Sequence, residues 1–402
     1  MWTRFLSPVT MASYAIIGGG IVGASVAYHL SCRTDADVTI YERQSPASET
    51  TYRSMAILGR TGNETMTEMK RYGLSLYNDF FSDPKANSRF DLTGSLAVAT
   101  TSEGDAELED SLKKESKTGL YTAGGKHEPV EYLPGDEITR TAIVPYLRTD
   151  DVEGTRYRPN KGFTRPQEVA YEFLERATEN GVTVENNTAV EDVIVEDGAV
   201  TALETERGTE DVDHVVCTAG PWNVSLAEKV GLTLPVRHEP APILQLEPDR
   251  SLPFTFPYTH HHESGIYFRG SHEGDIYVGK HDKSTTYEDV EQLDPDTVRD
   301  SVSIEFRDLA TDVIETLYPF LLNADITEEW VGVGSRTPDR WPILGWTDVE
   351  GFSIAAFHSQ GIQLAPIAGH IISRQIVDGE PTEYYEDVSI SRFDGYSDTY
   401  SG

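Results

Sequence analysis

A run of glycines near the start of the chain has the residue types and spacing to hold a diphosphate. Gly18, Gly20 and Gly23 make Gly-x-Gly-x-x-Gly, with Ile21 and Val22 before the third glycine. Gly18 permits a tight turn, Gly20 puts no side chain between backbone and pyrophosphate, and Gly23 lets a helix lie close on a strand. The N–H groups opening that helix offer donors and partial positive charge to the anion. Glu42, followed by Arg43, stands where an acid roughly 20 residues on accepts hydrogen bonds from ribose hydroxyls. The setting strengthens the pattern. Ala15-Ile16-Ile17 precedes it as a strand, Ser25-Val26-Ala27-Tyr28-His29-Leu30 continues as an apolar helix, and Val38-Thr39-Ile40-Tyr41 is the next strand.

Other reactive side chains carry less. His260-His261-His262-Glu263 invites a metal reading, but consecutive strand residues point to opposite faces. No metal site is expected, and one of these histidines is a candidate to face a substrate pocket. The two cysteines, Cys32 and Cys217, lack the spacing of a metal site or a disulfide framework, which fits a reducing cytoplasm.

Several elements must position these residues. Thr65 to Phe81 has helical apolar spacing, and Gly94 to Ala99 reads as a strand. Asp105 to Thr118 is charged and helical. A helix opens near Pro166 and runs to Asn180, with Gly181 as its stop. Val182 to Glu185 and Ala189 to Val195 alternate as strands, and Asp197-Gly198 turns a hairpin into Ala199 to Thr205. His214 to Thr218 is a strand, 234–285 is strand-rich, and helices are expected over Pro295–Leu317 and about Gln363–Asp378. This order excludes one simple doubly wound domain. It implies an α/β fold with α+β insertions, a Rossmann-like nucleotide domain beside a mixed antiparallel-sheet domain.

Composition narrows the partners. Among 402 residues, 67 are acidic and 33 basic, a net charge of −34 spread along the chain. Such a surface repels nucleic acid and anionic membrane. It also matches a halophilic protein, in which salt screens the self-repulsion. The melting temperature should therefore rise on going from dilute buffer to molar KCl; a flat response would rule the reading out. No stretch approaches the ~18 to 20 apolar residues of a membrane span. Met1 to Met11 lacks the apolar core of a signal peptide and reads as an extension, or Met11 as the true start.

Six motifs in order resemble the D-amino-acid-oxidase-like superfamily of FAD-dependent oxidoreductases, in its glycine and sarcosine oxidase and dehydrogenase branch. They are Gly18–Gly23 with Glu42-Arg43; Thr50-Thr51-Tyr52-Arg53-Ser54-Met55-Ala56; Thr188-Ala189-Val190; Thr218-Ala219-Gly220-Pro221-Trp222; Trp330-Val331-Gly332 with Thr337-Pro338-Asp339 and Pro342-Ile343-Leu344-Gly345; and Gly361-Ile362-Gln363-Leu364-Ala365-Pro366. The resemblance implies FAD. Thr50, Thr51, Arg53, Ser54, Met55 and Ala56 would form a loop over the flavin, and Val190 would meet the adenine end. Ala219, Gly220 and Trp222 would lie along the cofactor. The helix starting at Gly361, Ile362, Gln363 and Leu364 would aim its N-terminus at the flavin. Relatives that attach flavin covalently use a histidine where Arg53 stands, or a late cysteine, and none follows Cys217. The FAD should be non-covalent. The implied division is an extension (1–11), an FAD-binding domain (12–84, 161–228, 330–388), a substrate domain (85–160, 229–329) and a tail (389–402).

The implied chemistry is oxidation of the C–N bond of a small amino acid or N-methylglycine-type amine, with hydride passing to flavin N5. The protein supplies orientation and electrostatics, and a substrate carboxylate calls for a guanidinium. The position that carries this arginine in glycine-oxidase-like relatives is Gly334 here, and Arg336 stands two residues on. Arg336 and Arg269 are the candidates, against ordinary ion pairing. Tyr267 alternates with Arg269 and is pocket or core. His358, before Gly361, could tune the proton state of the amine, because imidazole titrates near neutrality. The electron acceptor would be oxygen or another redox carrier. The competing readings are a 2-hydroxy-acid or glycerol-phosphate dehydrogenase, and a flavin subunit of a larger electron-transfer complex; a homo-oligomer fits as well.

Overall fold

A computed structural model describes residues 11–59, 64–118, 121–122, 126–127, 131–134, 146–159, 161–252, 256–281, 287–290, 292–298 and 300–394. The expected N-terminal extension, apart from Met11, and the tail beyond residue 394 lie outside the described residues.

The apolar run Ala15-Ile16-Ile17 is buried because its strand sits inside a parallel sheet covered on both faces. That sheet has six strands in the order Thr183–Asn186, Asp37–Glu42, Ser13–Ile17, His214–Cys217, Phe352–Ala356 and Ile343–Trp346. The first five are parallel and the last antiparallel. Three distant parts of the chain therefore build one nucleotide-type sheet. The helices Ile21–Ser31, Glu64–Phe81, Pro166–Glu179 and Gly361–Asp378 bury their apolar sides in one core on one face. The antiparallel strands Val190–Glu196 and Ala199–Thr205 and the short helix Asn223–Lys229 cover the other. Asp197 and Gly198 have φ of 51° and 87°, both positive as a two-residue hairpin turn requires.

The second sheet has eight strands in the order Asp325–Arg336, Arg237–Glu247, Ile276–Lys280, Ile266–Gly270, Tyr258–His261, Ser95–Ala99, Gly154–Arg158 and Glu131–Pro134. All neighbours are antiparallel except Tyr258–His261 against Ser95–Ala99. Strand alternation divides its side chains. Leu96, Val98, Leu244, Ile266, Phe268 and Val278 pack on the helix Ile304–Leu317. Residues one step away, such as Ala97, Tyr258, His260 and Tyr267, face the other side. Asp325–Arg336 runs unbroken through residue 330 and belongs whole to this sheet.

One expected element is corrected. Pro295 to Leu317 is not one helix: a short 3-10 turn covers Pro295–Thr297, and the α-helix begins only at Ile304. Two side-chain caps explain the split. Asp294 accepts from the Asp296 N–H, and Ser303 accepts from the Phe306 N–H and so fixes a new start. The helix Ser102–Thr118 opens three residues before the expected Asp105. Among the described residues no helix is long and apolar enough to cross a membrane.

Candidate active site

One cavity of about 1710 Å³ runs from the glycine turn to the second sheet. At its first end Gly18, Gly20, Ile21, Val22, Glu42 and Arg43 line the wall. Gly18 has φ +101°, a conformation that strains any other residue, and an added Cβ would lie 2.8 Å from the Thr218 carbonyl oxygen. Gly23 does not line the cavity. Its missing side chain instead lets the helix touch the turn: a Cβ there would sit 2.0 Å from the Gly18 oxygen. Glu42 accepts from the Gly19 N–H at 2.8 Å and from the Gln44 N–H at 2.8 Å, so its carboxylate is held in place at the rim. Arg43 stacks over Trp222, 3.8 Å from the ring centroid, and Trp222 donates to Asp296. Val190, Ala219 and Gly220 complete this end.

Thr50, Thr51, Arg53, Ser54, Met55 and Ala56 line the same cavity. Two crossed hydrogen bonds tie this loop to the second sheet: the Arg53 guanidinium donates to the Val331 carbonyl at 3.2 Å, and the Trp330 indole donates to the Arg53 carbonyl at 3.3 Å. The late helix Gly361–Asp378 brings Gly361, Ile362 and Gln363 to the same cavity. Leu364 is corrected: it is 1 % exposed and packs in the core. Tyr77 donates to the Ile362 carbonyl at 2.5 Å, and the Gln363 amide exchanges two hydrogen bonds with the Gly59 backbone. The residues fit FAD on two counts. The cavity holds more volume than an ordinary small-ligand pocket. The helices starting at Ile21 and Gly361 both open on it, and neither N-cap residue supplies a side-chain cap.

The candidate reactive residues divide. Arg336, His358 and Tyr267 line the cavity, and Arg269 does not. Arg269 stacks on Phe163 at 3.9 Å and donates to the Thr164 carbonyl at 3.3 Å, and burial pushes its guanidinium down to about 10. Its part in gripping a substrate carboxylate is corrected to packing and bracing. Arg336 donates to Glu239 at 2.8 Å, so a carboxylate of the protein already offsets its charge. His358 accepts from the Thr337 N–H through Nδ1 at 3.1 Å, which places its proton on Nε2. Burial, with Arg336 and Arg340 nearby, pushes its pKa down to about 4. The expectation that His358 titrates near neutrality is therefore corrected: at neutral pH it is a neutral donor. Tyr267 is buried, stacks on His281 at 4.5 Å, and has its phenol pKa raised by burial.

The histidine run separates as strand geometry demands. His260 lines the cavity, His261 bonds Thr100 and Ser264, and His262 meets Glu107. Sequence reasoning missed Arg156, Arg158, Lys161, Tyr258 and Lys70, all of which line the cavity. Burial pushes the Lys70 ammonium down to about 8. No local signal marks these residues: Arg156, Arg158 and Tyr258 reach the site by pairing with the distant strand Ser95–Ala99, Lys161 follows the arginine strand, and Lys70 comes from the helix Glu64–Phe81.

Comparison with known proteins agrees with this geometry. Over 388 residues, or 95 % of it, the chain is 27 % identical to a 4-methylaminobutanoate oxidase (formaldehyde-forming) of Paenarthrobacter nicotinovorans. It is 26 % identical over 390 residues, again 95 % of the chain, to a mitochondrial pyruvate dehydrogenase phosphatase regulatory subunit of Mus musculus. It spans only 45 % and 43 % of the length of these two relatives. The crystal structure of L-proline dehydrogenase from P. horikoshii superposes with a TM-score of 0.80 at 21 % identity, covering 96 % of this chain and 99 % of that one, which shows a shared fold. Residues 13–375 match the DAO family of FAD dependent oxidoreductases, and with the glycine turn, flavin loop and late helix meeting on one cavity, the chain belongs to that family.

Proposed function

We propose that the protein oxidises the C–N bond of a small amino acid or N-methylglycine-type amine. The observation that carries this reading is the joining, in one cavity, of the nucleotide cradle to the aromatic and cationic face of the eight-stranded sheet. FAD, when bound, supplies the hydride acceptor. The chain supplies position and electrostatics. Gly18, Gly20 and Glu42 hold the nucleotide end, with Val190, Ala219, Gly220 and Trp222 beside it. The 50–56 loop and the N-terminus of the late helix hold the ring, and the helix favours negative charge there. Tyr258, Tyr267 and Ile243 give the amine an apolar wall that excludes water. His358 donates from Nε2 and takes no proton near neutral pH, so the substrate must lose its ammonium proton elsewhere.

The rest of the reading follows the same lines. The first sheet with its helices is the FAD-binding part, and the insertions at 85–160 and 229–336, the latter carried on from the expected 329 to the end of the strand Asp325–Arg336, form the substrate part. The FAD is held without a covalent bond, since Arg53 and not histidine stands in the loop. The acidic surface and the two free cysteines fit a reducing, saline cytoplasm. Anaerobic mixing of the yellow protein with sarcosine, glycine, proline and D-amino acids should bleach the flavin with at least one of them. Bleaching by hydroxy acids alone would replace this reading with the alcohol-oxidising one. The greater length of the two relatives, one of them named a regulatory subunit, favours a second reading: this chain is the flavin-bearing part of a larger assembly.

A further inference from the structure

Residues 292–298 and 300–303 bridge the two sides of the cavity. Asp289 and Val290, just before them, line it, and so do Ser303 and Glu305 at their far end. One anchor lies on the second sheet. The Leu293 N–H donates to the His238 carbonyl at 3.1 Å, and the Gln292 side chain accepts from the His238 N–H at 3.1 Å. The other anchor is the Ser303 cap of the helix Ile304–Leu317, which packs on that same sheet. Between the anchors the chain reaches across to the nucleotide end. Asp296 accepts from the Trp222 indole at 2.8 Å and pairs with Arg43 at 3.5 Å. Asp300 lies 3.7 Å from Arg53. Arg43, Trp222 and Arg53 all line the cavity.

The contact is narrow and aimed. Asp294 accepts from the Asp296 N–H at 2.9 Å and the Thr297 hydroxyl donates to the Asp294 carbonyl at 2.8 Å, so a local turn orients the Asp296 carboxylate. The indole bond is the strong one, because its acceptor is ionised. The Asp296 and Asp300 side chains are 65 % and 93 % exposed, so their ion pairs with arginine add little. One hydrogen bond thus holds a segment that is firmly fixed only on the other side. Breaking it disturbs neither core. It acts on the wall of the nucleotide end itself, since Arg43 follows Glu42 and stacks on Trp222.

We propose that Asp296 is a cofactor-retention residue: with Trp222 and Arg43 it latches the second-sheet side onto the nucleotide wall, and opening of that latch sets how fast FAD enters and leaves. The inference rests on FAD binding and not on the amine reading. A latch of this kind raises the barrier in both directions. Removing it therefore speeds uptake and release together and leaves the Kd nearly unchanged. A plain wall contact acts otherwise: its loss speeds release alone and weakens the Kd in step.

The test measures uptake of radiolabelled FAD by the full-length apoprotein, and its release from the holoprotein on a chase with unlabelled FAD, at one fixed KCl concentration. Asp296→Ala should speed both about tenfold, the scale of one charge-assisted hydrogen bond, and leave the Kd within about threefold. Asp296→Asn keeps an oxygen for the indole and loses the charge, so it should fall between this variant and the wild type. Trp222→Phe keeps a ring beneath Arg43 and removes the donor, and should speed release about as much as Asp296→Ala. The double variant should release FAD no faster than either single one, because both break the same bond. Asp300→Ala should change release less than about twofold, as an exposed pair predicts. Unchanged release from Asp296→Ala overturns the latch. Faster release with unchanged uptake overturns it too, by reducing Asp296 to a wall contact, and so does a double variant whose effects multiply. If Asp296→Ala fails to fold, Asp296→Asn and Trp222→Phe decide between the same outcomes.

Discussion

Gly23→Val yields protein that purifies without flavin and melts well below the wild type. An added Cβ at this position would lie 2.0 Å from the Gly18 oxygen and 2.7 Å from the Thr218 hydroxyl. The first contact is with backbone, which no rotamer change relieves. Thr218 is itself committed, donating to the Ile17 carbonyl at 2.8 Å. The helix Ile21–Ser31 must therefore back away from its strand, and the turn that should cradle the diphosphate moves with it. Overpacking of a tight contact costs about 3 kcal/mol, and the loss of bound cofactor removes the further stabilisation that a ligand gives to the folded state. Gly181→Ala is the internal comparison. Gly181 has φ +98° with nothing within 4 Å of an added Cβ, so the change costs only backbone strain of about 1 kcal/mol and retains the flavin. The ratio of absorbance at the flavin band to that of the protein, read with the melting temperature, separates the two. A flavin-replete Gly23→Val protein would remove the reason given for that glycine.

Stability should collapse as the pH falls from about 6.5 to 4. Burial pushes the imidazoles of His29, His214 and His358 down to about 4 each, and in the last Arg336 and Arg340 add to the effect. Below pH ~6.5 the unfolded chain takes up protons that the folded chain refuses. Each histidine thus contributes stability that is fully present at neutral pH and is lost as the pH drops through this window. Such a shift corresponds to roughly 3 kcal/mol per group. Three of them rival the ~5 to 15 kcal/mol by which a typical domain is stable. Burial lowers His238, His261 and His370 as well. Relief of repulsion among the surplus carboxylates acts in the opposite sense, so the variant carries the argument. His214 opens an interior strand of the first sheet and bonds the Ser353 hydroxyl at 2.9 Å. His214→Asn should flatten the dependence of the denaturant midpoint on pH by about one proton's worth between pH 6.5 and 4. An unchanged slope would show that this imidazole does not govern the acid limb.

These two predictions also show where sequence reading succeeds. Gly18, Gly20, Gly23 and Glu42 were legible because their spacing follows from local geometry: a strand, a turn and a helix within a few residues of one another. The hairpin at Asp197-Gly198 and the helix stop near Gly181 were legible for the same reason. The 295–317 segment was misread because apolar spacing continued past two side-chain caps that re-set the backbone. Leu364 was assigned to the cofactor by its neighbours, although a helix places successive residues about 100° apart and turned it into the core.

Arg269 and Arg158 mark the limit. Both are arginines in strands of the same sheet, and nothing in their neighbouring residues tells them apart. Arg269 ends beneath Phe163, and Arg158 opens onto the cavity because Ser95, with its small side chain, is its partner across the sheet. By itself the sequence determined the diphosphate turn, the acid that follows it, the return of the nucleotide fold at three places, and the charge of the surface, since each depends on residue type and short-range spacing. Only the tertiary structure decided which cations line the cavity, that His358 stays neutral, and that Arg336 is offset by Glu239. These depend on strand order and burial, which bring together residues that the chain itself keeps far apart.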